Sequence, residues 1–343
     1  MEGSSPLHLF SRKMGLTEEI RQSIGTPWEK FSRLLTETLE SKSILLNRIN
    51  SYLLEASGKQ LRPLLAMLTA KACSGFVNDK AVACAAVSEL IHTATLLHDD
   101  VVDDSDLRRG RPTVKKLFSS GASLLIGDYW LTRAIHLLIS NQCPYSVLST
   151  YSKALEHLSE GEMMQMEFSE NLLTSEQDYF EIIKRKTASL FVASVKGAAI
   201  VSEADDCTVQ ELEDFAYGLG CCFQIRDDII DYYPESVTGK DSNSDILERK
   251  ITMPLLCALE AAPEADRAIR SRMGEITMMP ADRESDLKIA GEIRSFVMEK
   301  DGIGRAKTKL ADFLKSAKSH LAVLPQSDQV RYMESIADYI GRL

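Results

Sequence analysis

The sequence predicts an all-α fold, built as one domain of ten or more helices. Apolar residues recur at helical spacing through most of the 343 residues, whereas alternation with a period of two is almost absent. The hydrophobic content of 44% supports a sizeable core, and no linker divides the chain. We therefore expect a single helical domain over residues 28–343, preceded by a polar and flexible N-terminal extension over residues 1–27.

Local signals place the helices of the first half of the chain. Pro63 suits the first turn of a helix, and Asp79 is the expected N-cap of the next one. That next helix carries Glu89 as the only formal charge between residues 81 and 97, so we expect it to be buried. The helical segments are 28–54, 63–73, 81–97, 123–139, 145–169, 175–202 and 208–232.

The second half of the chain contains one long predicted loop. Residues 234–250 are rich in Pro, Gly, Ser, Asn and charged residues, which indicates a flap-like loop. A shorter basic loop is expected earlier, over residues 110–121. Four further helices follow the long loop, over residues 253–261, 286–300, 302–324 and 328–343.

The composition argues against several classes of protein. A net charge of −10 and a pI near 5.3 disfavour nucleic acid as the main partner and an electrostatic membrane anchor. The most apolar segments are interrupted by Glu89 and His92 or by Asp128, so no transmembrane segment is expected. Seven cysteines without short, regular spacing indicate reduced thiols. We therefore expect a cytoplasmic protein.

An acidic cluster follows the buried helix. It contains Asp99, Asp100 and Asp103, and at about 100° per residue Asp99 and Asp103 share one helical face, about 40° apart. Carboxylates this close repel one another unless a cation joins them. Oxygen ligands without Cys or His suit Mg²⁺, which takes one or two carboxylates together with substrate phosphates. An isolated acidic stretch is equally typical of a solvated turn, so this cluster alone favours a metal site only modestly.

A second copy of the pattern strengthens the metal-site prediction. Asp227, Asp228 and Asp231 repeat Asp-Asp-x-x-Asp about 128 residues further along, again after an apolar segment. Gln224 lies near the helical face that Asp227 and Asp231 share. Two such clusters at the ends of buried helices are difficult to explain as surface decoration. If they face each other across a cavity, they would hold several Mg²⁺ ions around one polyphosphate.

Basic residues near the clusters supply the cations that a diphosphate needs. Arg108 and Arg109 directly follow the first cluster, and a guanidinium binds phosphate through two parallel hydrogen bonds. Lys59 and Arg62 lie one helical turn apart, after a glycine that permits close approach of the backbone. Taken singly, each is equally typical of an ordinary surface side chain, and His92 of a core histidine. Lys186, Thr187, Lys240 and Lys250 are also unremarkable in isolation.

Together these motifs resemble those of trans-isoprenyl diphosphate synthases, specifically the long-chain polyprenyl branch that includes octaprenyl, solanesyl and decaprenyl synthases. The resemblance covers residues 59–254 and continues more weakly to the C-terminus. The motifs occur in the order and approximate spacing of that family. They are Gly58-Lys59-Gln60-Leu61-Arg62-Pro63, the first aspartate motif through Arg108-Arg109-Gly110, Lys186-Thr187-Ala188, Gln224-Ile225-Arg226-Asp227-Asp228-Ile229-Ile230-Asp231, Gly239-Lys240 and Glu248-Arg249-Lys250.

The resemblance implies the isoprenoid synthase fold, which is a single orthogonal helical bundle around a deep central cavity, and a homodimer. It also implies three Mg²⁺ ions per active site with substrate bound. The implied binding site for isopentenyl diphosphate is Lys59, Arg62, His92 and Arg109. The implied Mg²⁺ ligands are Asp99, Asp103, Asp227 and Asp231, with Asp100 and Asp228 as further catalytic carboxylates. The implied remainder of the allylic pocket is Arg108, Thr187, Gln224 and Lys250, together with Lys186 and Lys240, which also act in catalysis.

The implied reaction is the head-to-tail condensation of isopentenyl diphosphate onto an allylic diphosphate, giving an all-trans-polyprenyl diphosphate. In the family, bulky aromatic residues four and five positions before the first aspartate motif stop elongation early. Here those positions are Thr95 and Ala94, with Ile91 another turn back, and none is aromatic. The resemblance therefore implies a deep apolar tunnel and a long product, with Trp130 and Phe118 as bulky candidates for its floor. Release of such a product implies a transient membrane contact.

Three alternatives remain at this point. A class I terpene cyclase shares the first aspartate motif, but its second motif normally has an Asn/Ser/Glu pattern that this chain lacks. A short-chain farnesyl or geranylgeranyl diphosphate synthase shares every motif. A non-catalytic subunit of a heteromeric synthase is disfavoured, because such subunits typically lose the aspartates and this chain keeps both sets.

Overall fold

The helical architecture predicted from the sequence is present in the computed structural model, which describes residues 15–108, 110–233, 243–277 and 283–342. Within these ranges, extended structure is confined to one short antiparallel hairpin, formed by β1 (Leu107–Arg108) and β2 (Arg111–Pro112). The all-α prediction is therefore confirmed.

The helices follow one another with short connections. Those up to the second acidic cluster are α1 (Leu16–Ile24), α2 (Thr26–Leu39), α3 (Ile44–Glu55), α4 (Leu61–Ser74), α5 (Asp79–Val102), α6 (Val114–Leu117), α7 (Ser120–Ser140), α8 (Tyr145–Asn171), α9 (Glu176–Ile183), α10 (Ser189–Val201) and α11 (Asp206–Asp231). Those after it are α12 (Ser244–Leu247), α13 (Met253–Ala261), α14 (Asp266–Met273), α15 (Arg283–Glu299), α16 (Gly302–His320) and α17 (Asp328–Gly341). A π-helical turn, Lys184–Ala188, joins α9 to α10.

The centre of the fold consists of α4, α5, α10 and α11. Helix α5 is buried without a break over residues 81–91, Glu89 included, and α10 packs against α4, α5, α8 and α11. Helices that are apolar on most sides occupy the interior because no face of them is favourable in water. The two acidic clusters therefore lie at the C-terminal ends of two buried helices, as the sequence indicated.

Helix α5 also has the length and hydropathy of a membrane-spanning helix. Among the described residues it is the one helix with these properties, and 72% of its apolar window is buried inside the protein. Core helices pass the same test of composition, so this finding gives little support for a membrane span.

Some element boundaries differ from the predictions. The apolar run over residues 28–54 is divided into α2 and α3, because the Asn47 side chain binds the backbone of Ser41 and Ser43 caps α3. The N-cap of α5 is Asn78 and not Asp79: the Asn78 side-chain oxygen accepts a hydrogen bond from the Ala81 N–H at 2.9 Å. A side chain in the preceding position reaches the free amides of the first turn more readily than one within it.

All three predicted irregular segments are partly helical, and the basic loop over residues 110–121 contains α6 and the start of α7. Residues 16–24 of the expected N-terminal extension form α1, which packs against α4 and α17 with Ile20 fully buried. The folded part of the chain therefore begins before residue 28. Part of the expected flap-like loop forms α12, and residues 234–242 of that loop lie outside the described residues.

The π-helical turn Lys184–Ala188 interrupts the helix predicted over residues 175–202, and two neighbouring helices approach its backbone closely. A Cβ at Gly161 of α8 would lie 2.6 Å from the backbone nitrogen of Lys186. A Cβ at Gly220 of α11 would lie 2.5 Å from the Ala188 Cα. Only glycine permits this approach, which fixes the turn and the side chains that it carries between α8 and α11.

Substitution of Gly220 tests this close packing. We expect Gly220→Ala to lower the free energy of unfolding by about 1–3 kcal/mol, because the added methyl group forces α11 away from the π-helical turn. Gly291→Ala on α15 is the matched control, since its Cβ would meet no atom within 4 Å. Removing that glycine should raise the free energy of unfolding by about 0.5–1 kcal/mol. Urea unfolding measures both values, and equal stability of the two variants would contradict the packing.

Candidate active site

The first acidic cluster occupies the C-terminal end of α5 and the turn that follows. Asp99 is half-buried and Asp103, the C-cap residue, is exposed, whereas Asp100 is buried. The Asp100 carboxylate accepts a hydrogen bond from Arg108 Nε at 2.7 Å, within an ion pair. Asp100 therefore holds the β-hairpin against α5, and Asp99 and Asp103 form the face that is open to a ligand.

The second acidic cluster, at the end of α11, divides in a similar way. Asp228 is buried and accepts hydrogen bonds from the Tyr179 hydroxyl at 2.5 Å and from Gln224 Nε2 at 2.8 Å. Asp231 is also buried and accepts from the Ser244 hydroxyl, with two backbone N–H groups directed at the same carboxylate. Asp227 is half-buried. The Asp228 and Asp231 carboxylates thus anchor α9 and α12 to α11.

The Lys250 side chain connects the two clusters. It forms an ion pair with Glu248. Burial by itself lowers the pKa of the Lys250 ammonium, but the negative charges of Glu248, Asp245 and Asp103 outweigh burial and raise it above its ordinary value. Asp103 belongs to the first cluster, and Asp245 lies beside Asp231 of the second, with a backbone N–H to its carboxylate at 3.2 Å. The two clusters therefore face the same space.

A second lysine lies beside the first cluster. Lys186, on the π-helical turn, pairs with Glu162 of α8 at 2.5 Å and donates to Gln165 at 3.1 Å. Burial raises the pKa of Asp99 to about 6; Lys186 opposes the shift, whereas Glu162 and Asp103 add to it. Asp99 is thus a desolvated carboxylate that Lys186 compensates only in part, which favours an additional cation.

A chain of hydrogen bonds joins the π-helical turn to the second cluster. The Thr187 hydroxyl donates to Gln224 Oε1 at 2.6 Å, and the Gln224 amide then donates to Asp228. Burial raises the pKa of Asp228 to about 6, although the hydrogen bonds from Tyr179 and Gln224 act in the opposite direction. The structure therefore brings together Thr187, Gln224 and Asp228, three residues that the sequence analysis had assigned to one site.

The predicted basic residues of the Gly58–Pro63 segment rest on aromatic rings. The Lys59 ammonium lies 4.6 Å from the centre of the Tyr339 ring and also contacts its hydroxyl. The Arg62 guanidinium lies 4.2 Å from the centre of the Phe191 ring. Such contacts fix the position of a cation over the face of a ring. Two further basic residues that the sequence analysis assigned to the site, Arg109 and Lys240, lie outside the described residues.

A cavity of about 100 Å³ lies between α5 and the α2 and α3 helices, and Asp100 of the first cluster lines it. His92 and Arg108 line it together with apolar side chains, among them Trp130. Trp130 Nε1 donates to Asn50 Oδ1 at 2.8 Å, which ties α7 to α3. Phe118 lies near the same helices, with the Arg48 guanidinium 5.7 Å from its ring centre. Both large aromatic residues therefore lie on the α3 side of α5.

The sequence analysis missed several polar residues of the site. Glu162, Gln165, Tyr179, Asp245 and Glu248 all contact predicted site residues or shift their pKa values. A possible signal for Glu162 was its place on the same helical face as three apolar residues of α8, but no local pattern distinguished it from other helical glutamates. Nothing in the sequence indicated that Asp245 lies against Asp231.

The available carboxylates fit a magnesium ion that is held partly by substrate phosphate better than a metal ion that is held by protein side chains alone. Among the described residues, no group of three or more His, Cys, Asp or Glu side chains is arranged to hold an ion. Asp99 and Asp103 instead offer two carboxylates whose pKa values are raised, chiefly by desolvation. Mg²⁺ typically takes one or two carboxylates and completes its shell with water and phosphate oxygens.

Comparison with known proteins gives consistent matches. Residues 43–289 match the polyprenyl synthetase family. Octaprenyl diphosphate synthase of Haemophilus influenzae is 32% identical over 93% of this chain and 95% of its own length. A short chain isoprenyl diphosphate synthase of Methanothermobacter thermautotrophicus is 34% identical over 94% of each chain. The crystal structure of a polyprenyl synthase from Caulobacter crescentus, complexed with calcium and isoprenyl diphosphate, superposes with a TM-score of 0.85 at 31% identity, covering 96% of this chain and 98% of that one.

The raised pKa of Asp99 makes cation binding dependent on pH. Its value shifts from 3.8 to about 6, so the folded state holds the proton more tightly than the unfolded state. Stability then falls as pH rises from about 4 to about 6, and above this range the charged carboxylate is available to a cation. We expect Mg²⁺ with inorganic diphosphate to raise the melting temperature by a few degrees more at about pH 7.5 than at about pH 5.5. Asp99→Asn should remove most of this difference in thermal melts, and an equal effect at both pH values in the unsubstituted protein would contradict the prediction.

Proposed function

Because the chain belongs to the polyprenyl synthetase family, we propose that it is a prenyltransferase that condenses isopentenyl diphosphate head to tail with an allylic diphosphate. Each turnover yields an all-trans-polyprenyl diphosphate that is one five-carbon unit longer. The observation that carries the proposal is the position of Lys250, which experiences the charges of both Asp103 and Asp245. Two acidic motifs around one cationic side chain form a site of the kind that a diphosphate with its counter-ions requires.

We assign the magnesium ligands to Asp99, Asp103, Asp227 and Asp231, with three ions per site when substrate is bound. Bound Mg²⁺ supplies Lewis-acid stabilisation of the diphosphate that leaves the allylic carbon. The calcium in the structural relative from Caulobacter supports a divalent cation. Asp231 already accepts three hydrogen bonds, which leaves about one acceptor position on its carboxylate for an ion.

Lysine side chains neutralise the remaining negative charge that develops on the departing diphosphate. Lys186 and Lys250 each pair with a glutamate while their charges act on Asp99 and Asp103. A diphosphate near those aspartates would offer both ammonium groups an additional anionic partner, and Arg108 and Thr187 complete this pocket together with Gln224 and Lys240. Such fixed charges stabilise the departing diphosphate without rearrangement during the reaction.

The second substrate, isopentenyl diphosphate, is assigned to four basic residues: Lys59, Arg62, His92 and Arg109. Lys59 and Arg62 are held on the Tyr339 and Phe191 rings. The double bond of this substrate attacks the allylic carbon, and the addition ends with loss of a proton. We assign that proton to the departing diphosphate and to no side chain.

A long product is favoured by the small side chains on α5. Thr95 is half-buried, and Ala94 and Ile91 are buried, so no aromatic ring blocks this part of the helix. The octaprenyl relative supports a long product. The archaeal relative named a short chain synthase has similar identity and favours the alternative of a short-chain enzyme with the same chemistry.

Three further features belong to this proposal. A homodimer is supported by the exposed apolar side chains of α7 and α8, which include Leu125 and Met163. Cytoplasmic location is supported by all seven cysteines being free. Transient contact with a membrane would allow a long apolar product to leave the protein.

Replacement of a proposed ligand tests the activity. We expect Asp99→Ala to reduce turnover of labelled isopentenyl diphosphate with farnesyl diphosphate and Mg²⁺ by on the order of 10²–10³-fold or more, because a main anchor of the diphosphate is lost. Asp104→Ala is the matched control, since that exposed carboxylate pairs with Lys115 outside the proposed ligand set. Near-normal turnover of Asp99→Ala would rule out the metal assignment, and absence of any prenyl product from the unsubstituted protein would rule out the function.

A bulky side chain below Asp99 tests the direction of chain growth. Thr95 precedes Asp99 by four residues and lies on the same helical face. We expect Thr95→Phe to shorten the product by several five-carbon units in thin-layer chromatography, because the ring obstructs the growing chain. Thr93→Phe is the matched control: Thr93 lines the cavity towards α3, so product length should not change. Products of identical length from Thr95→Phe and the unsubstituted protein would show that the prenyl chain does not grow past Thr95.

A further inference from the structure

Two cysteine side chains meet where the start of α5 packs against the connection between α7 and α8. Cys84 lies in the second turn of α5 and is fully buried, whereas Cys143 follows α7 and keeps 9% of its surface exposed. The Cys84 thiol is hydrogen-bonded to the Cys143 thiol. We refer to Cys84 and Cys143 as the thiol pair.

The packing of α7 along α5 explains why these two cysteines meet. Near the start of α7, the Ser123 hydroxyl donates to the carbonyl oxygen of Leu97, near the end of α5, at 2.8 Å. Helix α7 packs along α5 from this point, and its other end meets α5 at Cys84, so the two helices run antiparallel. The Cys143 N–H donates to the Leu138 carbonyl oxygen at 3.0 Å, which fixes the backbone of Cys143 at the end of α7.

Helices α8 and α10 enclose Cys84 further. The hydroxyl of the buried Tyr151, on α8, donates to the Cys84 carbonyl oxygen at 2.8 Å. On α10, a Cβ at Gly197 would lie 3.6 Å from the Cys84 sulfur. Because Cys84 has no exposed surface, a small reagent from solvent reaches the thiol pair through Cys143.

The two thiols also differ in acidity. The hydrogen bond with Cys84 lowers the pKa of Cys143, and the charge of Lys80 acts in the same direction, although burial opposes both. The same hydrogen bond, together with burial, raises the pKa of Cys84. Burial raises the pKa values of Cys221 and Cys222, on α11, to about 12. Because oxidants react with the thiolate, Cys143 is the favoured first nucleophile and Cys84 the thiol that reacts with it.

We propose that the thiol pair is a modification site, at which hydrogen peroxide converts Cys84 and Cys143 into an internal disulfide. The Cys143 thiolate attacks one peroxide oxygen, so an S–O bond forms, the O–O bond breaks, and the hydroxide that leaves takes a proton from solvent. The Cys84 sulfur then attacks the sulfenic sulfur of Cys143. The S–S bond forms, the S–O bond breaks, and the departing hydroxide leaves as water with the proton of the Cys84 thiol. Two thiols are oxidised, and one peroxide is reduced to two molecules of water.

The disulfide would join the central helix α5 to the connection between α7 and α8. It would close a loop of about 60 residues, which restricts the unfolded chain and stabilises the folded one. Asp99 lies fifteen residues beyond Cys84, about 22 Å along α5. The bond therefore forms far from the acidic clusters, and the inference does not rest on the proposed function.

Peptide mapping of the oxidised protein tests the proposal. The full-length protein is treated with a small molar excess of hydrogen peroxide, its free thiols are blocked with iodoacetamide in denaturant, and the chain is digested with trypsin. Cleavage after lysine and arginine places the two cysteines on separate peptides, 81–108 and 134–153, each with one cysteine. We expect these peptides to appear joined, with a mass two hydrogens below their sum, and to separate after reduction.

Three variants and a thermal melt assign the roles. Cys143→Ser should give no joined peptide, and Cys84→Ala should leave Cys143 as a sulfenic acid that a 1,3-diketone reagent traps on peptide 134–153. Cys207→Ser is the matched control: Cys207 is exposed, and its replacement should leave the yield of joined peptide unchanged. Oxidation should raise the melting temperature of the unsubstituted protein by several degrees, and reduction should restore it.

The unsubstituted protein alone decides the outcome if a variant does not fold by circular dichroism. Absence of the joined peptide after peroxide treatment would overturn the proposal, and so would a disulfide from Cys143 to any cysteine other than Cys84. A joined peptide found only in a cross-linked dimer on a non-reducing gel would overturn it as well, because the proposed bond is internal to one chain. None of these measurements uses a prenyl substrate, so failure of the thiol pair and failure of the proposed function are distinguishable.

Discussion

The burial of carboxylates at the ends of two core helices is the constraint on which this structure depends. Burial and neighbouring negative charge raise the pKa of Asp99 to about 6. Lys186 and Lys250 neutralise part of this charge and leave the remainder for a cation that arrives with substrate. A site whose carboxylates are only partly neutralised by lysines is suited to bind Mg²⁺ and diphosphate together. The cation and the anion then compensate each other's charge.

The backbone that carries Lys186 is packed closely against two neighbouring helices. Lys186 lies on a π-helical turn that Gly161 and Gly220 contact from opposite sides. The same turn carries Thr187, whose hydrogen bond to Gln224 continues to the buried Asp228. Core packing and this chain of hydrogen bonds therefore fix the position of the basic turn relative to the acidic helix.

The polar and apolar halves of the proposed reaction space use the same helices. Helices α5 and α8 present charged residues at one end, apolar residues along the middle and hydroxyl groups at the lower end. A prenyl diphosphate has the matching order, with an anionic head and an apolar tail that lengthens away from it. Charged and apolar side chains are thus separated along one face of each helix.

The sequence by itself determined the helical class, the two aspartate motifs and most of the cations around them, because helical periodicity and motif spacing are local properties of the chain. It also identified α5 as a core helix despite Glu89. Only the tertiary structure decided that Asp100 binds Arg108, that Asp228 binds Tyr179, and that Trp130 lies on the α3 side of α5. These contacts join different elements of the fold, and local patterns do not specify which faces of two helices meet. Glu162 and Asp245 were missed for the same reason, since each becomes informative only through its neighbours in space.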